Sequence, residues 1–501
     1  MQLETLVAAS VALVAFSAYL THNRTGLPRV GKAGPLGFIL TALRSIGSFE
    51  DLIREGLNKY GGKPFVVPTM AGSVIMVSGP ENIDLIKASD DSAINQPISI
   101  NESLQLDYTM NSRQLALPYH AVVIRTDTTR AINSFIPEVL DETRLSMSEA
   151  FAPKVGEKSA TIPLFHTMTH LIARISNRAV LGISLCRNET FLHDIVRFAE
   201  TVVLYAQVLR WLPRILRRPA YLLASSAFGG AKQPCKTLIP HLKVLIAERA
   251  QGLESSKTIG DFLINHAPPE ELANPELLAM RVAIVNFGSI HTSSIFGSHA
   301  IFHLAALSEA EQDDIRDEIV EALESESGYT KTSLAKMRKL DSTLREVGRF
   351  YALLSIGLTR RLIKPVSLAD GTVLPSGYNI AVPLAPIHFD ASVYPEPEKF
   401  DCFRFSKLRD TEENVVKHGF TTIDKDFVPF GLGRHACPGR FLCASMELKT
   451  MLAHMLLNYD LSLPDGVKTV PKPMTLSGTV MPNLSACIVL APRVGQVGQD
   501  L

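Results

Sequence analysis

The stretch from Pro275 to Leu307 limits the possible folds more than any other part of this chain: it has no proline after its first residue and is apolar on most faces. As a helix it would run about 48 Å at ~1.5 Å per residue, long enough to cross a whole molecule. A helix with so little polar surface belongs at the centre of a fold. Helical periodicity dominates from Asn111 to Leu307, and Ser308-x-x-Glu311 offers a capping box for an acidic, solvent-facing helix that follows. Further helices are expected over Ser333–Leu354 and Phe441–Tyr459. Extended segments are short. Phe65–Val67 and Ser73–Val77 flank a turn at Gly72, Val366–Leu384 alternates around Asp370-Gly371 and Pro375-x-Gly377, and Met474–Leu490 reads as a final hairpin. The expected fold class is mainly α with small peripheral β-sheets. With 46% hydrophobic residues among 501 the chain can bury a large core. No Gly/Ser/Pro linker divides Tyr60 from Arg493, so residues 41–501 read as a single domain.

Fifty basic residues balance fifty acidic ones, which leaves no electrostatic footprint for nucleic acid. Six cysteines are too few for a secreted disulfide scaffold, so reduced thiols are expected. Residues 5–20 carry no charge and are followed by Arg24, Arg29 and Lys32, whereas the MQLE start lacks the basic opening of a signal peptide. Residues 1–22 therefore read as a single-pass membrane anchor with a transmembrane helix over about 5–20, a buried core helix being the alternative. The basic residues place everything after it on the cytoplasmic side. Residues 23–40, with Pro28, Pro35 and several glycines, read as a stiff hinge.

Phe427–Cys443, FVPFGLGRHACPGRFLC, carries the chemistry. Gly431 and Gly433 precede Cys437, and Pro438-Gly439 follow it. Such a loop folds back tightly, aims backbone N–H groups at one sulfur, and opens into an apolar helix whose N-terminal dipole also favours a thiolate. Phe430 would shield that sulfur from water. This suits an anionic ligand to a redox metal, because hydrogen bonds to the sulfur tune its electron donation. A buried structural cysteine is the plain alternative; zinc lacks the partner ligands it would need.

Residues 430–439 match the haem-binding loop F-x-x-G-x-[RH]-x-C-x-G, and the chain resembles the cytochrome P-450 superfamily. Glu346-Val-Gly-Arg349 is similar to the family's E-x-x-R, and Pro397-Glu-Lys-Phe400 with Arg404-Phe405 to its P-x-x-F-x-x-x-R-F. Alone, a Glu three positions before an Arg is a common surface pair of little worth. The resemblance makes Glu346, Arg349 and Arg404 a buried structural triad and Cys437 the metal ligand of haem b (iron protoporphyrin IX, axial thiolate). Cofactor-binding residues would be Cys437, Phe430, Gly431, Gly433, His435, Gly439, Arg361 and Arg125. His435 and Arg361 would serve the haem propionates, with Arg360 the rival of Arg361. The family's W-x-x-x-R is missing from its place, and Arg125 and His120 stand in the corresponding stretch, a solvated face being the alternative for Arg125.

Gly288-Ser-Ile-His291-Thr292-Ser293, within the long helix, resembles the family's [AG]-G-x-[DE]-T-[TS] segment on the distal face of the haem. Backbone bonds from its hydroxyls can open the helix locally and admit water, a packing notch where another helix crosses being the alternative. Thr292 and His291 would be the catalytic pair that manages protons, His291 either relaying them or bonding backbone while water carries them. The His-Thr pair is similar to fungal secondary-metabolite members, including the ent-kaurene oxidase-like group. The implied activity is a haem-thiolate monooxygenase of the endoplasmic reticulum, acting on an apolar natural product (a terpenoid or indole-diterpenoid) with O₂. Electrons would come from NADPH through NADPH–cytochrome P-450 reductase, since no flavin or nicotinamide motif occurs in the chain. The rivals are a haem-thiolate hydroperoxide rearrangement or dehydration enzyme and a non-catalytic haem binding protein. Arg434 and Arg440, with help from Lys417 and Lys449, offer a docking patch for an acidic electron donor, general solubility being the alternative. Trp211 among Arg210, Arg214, Arg217 and Arg218 reads as an element dipping into headgroups, or as a basic corner with a buried Trp.

Overall fold

A computed structural model describes residues 25–228, 234–252, 257–411 and 417–493. The expected central helix runs Pro275–Leu304. Asn274 caps it by accepting the N–H of Glu276 at 3.2 Å, and Pro275 occupies a first-turn position whose N–H would have no helical partner. From Leu278 onward most of its residues are buried. Small residues let a neighbour cross closely: a Cβ on Gly297 would stand 3.0 Å from Cε of Met168 on the helix Leu164–Leu181. The helices Ile132–Ala150, Glu189–Trp211 and Leu448–Asn458 complete the main apolar core around it. The capping box forms as expected, Ser308 and Glu311 exchanging bonds at the start of Glu309–Ser325.

The sheets are small and peripheral. Phe65–Thr69 and Gly72–Met76 make the expected hairpin. Asn379–Pro383 pairs with it in parallel, then Ile356–Leu362 and Ile94–Asn95 complete a five-stranded sheet. Val366–Ser367 and Val373–Leu374 form their own hairpin around Asp370-Gly371.

Four local expectations change. The helix expected over Ser333–Leu354 is two helices, Lys331–Lys336 and Arg338–Phe350, because the backbone turns at the buried Met337. There the Leu334 carbonyl, which a continuous helix would offer to the N–H of Arg338, accepts Nζ of Lys449 at 3.1 Å. The last helix opens with a π-helical turn, Phe441–Glu447, before its α-helical part. In the tail, Met474–Leu476 and Thr479–Met481 are the hairpin, and Cys487–Pro492 instead lies between Ala160–Pro163 and Tyr459–Ser462. The stretch read as a stiff hinge over 23–40 is packed into the domain from Pro28 onward. Val30 is buried and bonded to Val66, and a helix starts at Gly34 with Pro35 in its first turn. The anchor expected at 5–20 lies outside the described residues, and among those described no helix is long and apolar enough to cross a membrane.

Candidate active site

The cysteine loop is held by its own backbone. Cys437 donates its N–H to the Phe430 carbonyl at 2.8 Å, and Gly431 and Ala436 bond to Val428 and Gly433. Gly431 and Gly433 have φ of 70° and 67°, where a side chain strains the backbone. A Cβ on Gly433 would also stand 3.2–3.3 Å from Lys87. Phe430 stacks on Phe296 of the central helix, with ring centres 6.0 Å apart, and meets Phe420 edge-on. Burial pushes the Cys437 thiol up, while the N–H of Gly439, the Arg440 guanidinium and the N–H of Arg440 pull it down. The residue nonetheless keeps exposed surface, so the site is buried on one side and open on the other. No steric clash and no positive φ demands glycine at 439.

Beside this loop lies a cluster rich in cations. His435 and Arg434 both reach Asp91, at 2.9 and 3.3 Å. Arg125 donates to the Arg434 carbonyl at 3.1 Å. Arg360 is buried, donates to the carbonyl of its neighbour Thr359, and is held by burial at about 10, with Asp91 and Arg434 its charged neighbours. Arg361 points elsewhere, to Glu102 at 3.2 Å. His120 likewise belongs to another group, the buried Glu271–Arg281 pair, where its Nδ1 lies 2.9 Å from Arg281. Thus Arg360, not Arg361, joins His435 and Arg125 here, and the cations outnumber the carboxylates Asp90 and Asp91 beside them. Such an excess suits a ligand bearing carboxylates.

Glu346 receives Arg349 at 2.7 and 2.8 Å and Arg404 at 3.0 Å, and both Glu346 and Arg349 are fully buried. The arginines spend their remaining donors on backbone carbonyls: Arg349 on His388 and Pro397, Arg404 on Pro395, Glu396 and Lys399. Two long segments are thereby pinned to one helix.

The central helix stays α-helical through Thr292 and is not opened. The Thr292 hydroxyl donates to the Gly288 carbonyl at 2.7 Å, satisfying itself without breaking the ladder. Yet Gly288 is exposed, with open space where its Cβ would be, and His291 and Thr292 are half-buried. This strip interrupts the otherwise buried run of the central helix.

The expected docking patch thins. Lys449 is buried against Asp341, Arg434 is tied to Asp91 and Ser89, and Arg440 donates back to Cys437 and Thr421.

Comparison with known proteins decides the family. The family model described as Cytochrome P450 matches residues 28–489. The chain belongs to the cytochrome P450 family. Cytochrome P450 monooxygenase 71 of Postia placenta is 31% identical, with 91% of each chain covered. Cytochrome P450 monooxygenase olcJ of Penicillium canescens is 33% identical over 75% of this chain and 71% of its own. Among solved structures, a retinoic acid bound cyanobacterial CYP120A1 shares the fold with a TM-score of 0.67, at 17% identity, covering 94% of this chain and 98% of that one. This P450 is a haem-thiolate monooxygenase of the kind that uses O₂, apolar substrates and a redox partner, and its cofactor is haem b. The residues fit that group. An open cysteine sulfur with donors aimed at it, an unexplained glycine beside it and a cationic cluster at the rim are what an iron, a flat ring and two carboxylates require.

Proposed function

We propose that this enzyme is a membrane-anchored monooxygenase of fungal secondary metabolism, inserting one oxygen atom into a C–H bond of an apolar natural product of the terpenoid or indole-diterpenoid class. Electrons come from NADPH through a separate reductase at the endoplasmic reticulum. The observation that carries the reading is the Cys437 loop packed through Phe430 onto Phe296 of the central helix, the same helix that exposes Gly288 and leaves His291 and Thr292 half-buried. When bound, haem b supplies the reductive activation of O₂.

The chain's own residues divide the remaining work. The Cys437 sulfur would hold the metal, its charge eased by the two N–H groups and the Arg440 guanidinium. Phe430, clamped by Phe296 and Phe420, keeps water from the sulfur. Arg360, Arg125 and His435 would take the carboxylates of the cofactor. Gly288 leaves room for an apolar substrate, and the Thr292 hydroxyl, fixed by its bond to Gly288, keeps lone pairs free to hold a proton donor. Exposed Val203, Leu204, Val208, Trp211, Ile215 and Leu223 lie on the successive helices Glu189–Trp211 and Arg214–Phe228, a surface suited to bilayer contact and to entry of an apolar molecule. Expression with a reductase in a host fed terpenoid and indole-diterpenoid precursors, followed by mass analysis, tests the proposal. A gain of one oxygen supports it; oxidation confined to another class of precursor would overturn the substrate assignment.

A further inference from the structure

Beside its exposed strip the central helix meets the helix Glu189–Trp211, and there His291 faces an acid. Its Nε2 lies 4.0 Å from Oε1 of Glu200, an ion-pair distance longer than a hydrogen bond. The Glu200 side chain is 64% exposed and that of His291 22%, so the pair runs from solvent into the protein. The other ring nitrogen, Nδ1, is shielded from solvent and has no hydrogen-bond partner among the described residues. A buried polar atom left unpaired is costly, and here it stands next to Thr292 in the chain.

The charged groups around Glu200 are His291 on the central helix, His166 on the helix Leu164–Leu181 and Arg197 on its own helix. His291 above all, then the other two, holds the carboxyl below its usual range against the effect of burial. Glu200 is therefore an ionised acceptor in contact with water. Thr292 spends its proton on Gly288 and can still accept.

We propose that Glu200 and His291 form the solvent-side limb of the proton route that Thr292 serves. A proton from water passes to the Glu200 carboxylate and, once that exposed side chain turns in from 4.0 Å to hydrogen-bond reach, on to Nε2 of His291. The ring gives up its Nδ1 proton on the interior side, and Glu200 returns to its ionised form. One proton enters and one leaves; the ring is left as its Nε2–H tautomer, and rotation about its side-chain torsions then presents that N–H inward for the next proton. Glu200 acts through His291 and is a relay and positioning residue. The inference rests on the reading that His291 and Thr292 manage protons.

The test uses holoenzyme with its reductase and compares wild type, Glu200→Gln and His291→Asn. Two readouts are needed: the infrared C–O stretch of the ferrous carbon-monoxide complex, which senses polar groups over the distal face without turnover, and product formed per NADPH consumed. Glu200→Gln should keep the substrate-binding spectrum, change the ratio of the C–O components at least about twofold, and lower product per NADPH about tenfold. If either readout is unchanged in Glu200→Gln while His291→Asn departs from wild type, the Glu200 limb is wrong and the role of His291 stands. If His291→Asn matches wild type in both, the underlying reading fails as well.

Discussion

Val428 donates its backbone N–H to Nε2 of His388 across 3.3 Å, and there the buried triad meets the cysteine loop. His388 also gives its carbonyl to Arg349 at 2.7 Å. Burial, helped by the Arg349 charge, holds the imidazole down to about 3, so Nε2 keeps the lone pair that the bond needs. A chain of contacts thus runs from Glu346 through Arg349 and His388 into the segment that carries Cys437.

Breaking this chain should loosen the loop. His388→Leu leaves the Val428 N–H unpaired, at a cost of about 1–3 kcal/mol. Glu346→Ala strands two guanidinium groups and should cost more, about 3–5 kcal/mol. Thermal melting and haem per polypeptide check both: each variant should lose melting temperature and haem content, Glu346→Ala the more.

The two adjacent arginines on Ile356–Leu362 should behave differently. Arg360→Ala removes a cation from the cluster around His435 and should speed haem loss about tenfold, the worth of one charge-assisted hydrogen bond. Arg361→Ala breaks only the link to Glu102 and should leave haem loss near wild type. Transfer of haem to excess apomyoglobin gives both rates.

Thr292→Ala should bind substrate with the wild-type spectral change, yet lose product formation by about 10² while consuming NADPH to peroxide. Thr292→Ser, which keeps the hydroxyl, should retain most coupling. Product, peroxide and NADPH measured together distinguish the two.

Stability should peak near pH 6.5–7. Burial holds His299, His303 and His388 at about 3 and His120 and His454 at about 4, against an ordinary 6.5. Below pH 6.5 the unfolded chain binds protons that these rings refuse, so stability falls with acid. Glu447 and Glu318 work the other way. Burial pushes them up to about 8 and about 7, so the folded form keeps protons that the unfolded chain loses near 4.5, and stability declines as pH rises through that window. Five rings outweigh two acids on the acid side; above pH 6.5 the acids act first, and toward pH 9 the thiols of Cys186 and Cys402, pushed up by burial to about 11 and about 12, add to the same decline. Melting temperatures from pH 5 to 9 should show this maximum, and Glu447→Gln should flatten the alkaline limb.

The features legible in the sequence were those written at fixed, short spacing. The Gly431–Gly433–Cys437 loop needs glycine where φ is positive, and Glu346 and Arg349 stand one helical turn apart. What failed depended on phase or on distant partners. Strand alternation cannot choose between Arg360 and Arg361 once a bulge, with Leu358 at φ 50°, shifts the register between Gly357 and Arg360. The extra residue that makes Phe441–Glu447 a π-turn leaves no mark on hydropathy. Lys449 looked like surface charge until Asp341 and the Leu334 carbonyl were seen around it. Glu200 reads as one more acid on a solvated helix face, and only its distance to His291 sets it apart.

The ferrous carbon-monoxide spectrum of the purified protein tests thiolate ligation by Cys437 most directly. Wild type should show the strongly red-shifted Soret band of a thiolate-bound haem, and Cys437→Ser should lose it while the other five cysteines remain. A red-shifted band that survived Cys437→Ser, or that wild type never showed, would contradict the account.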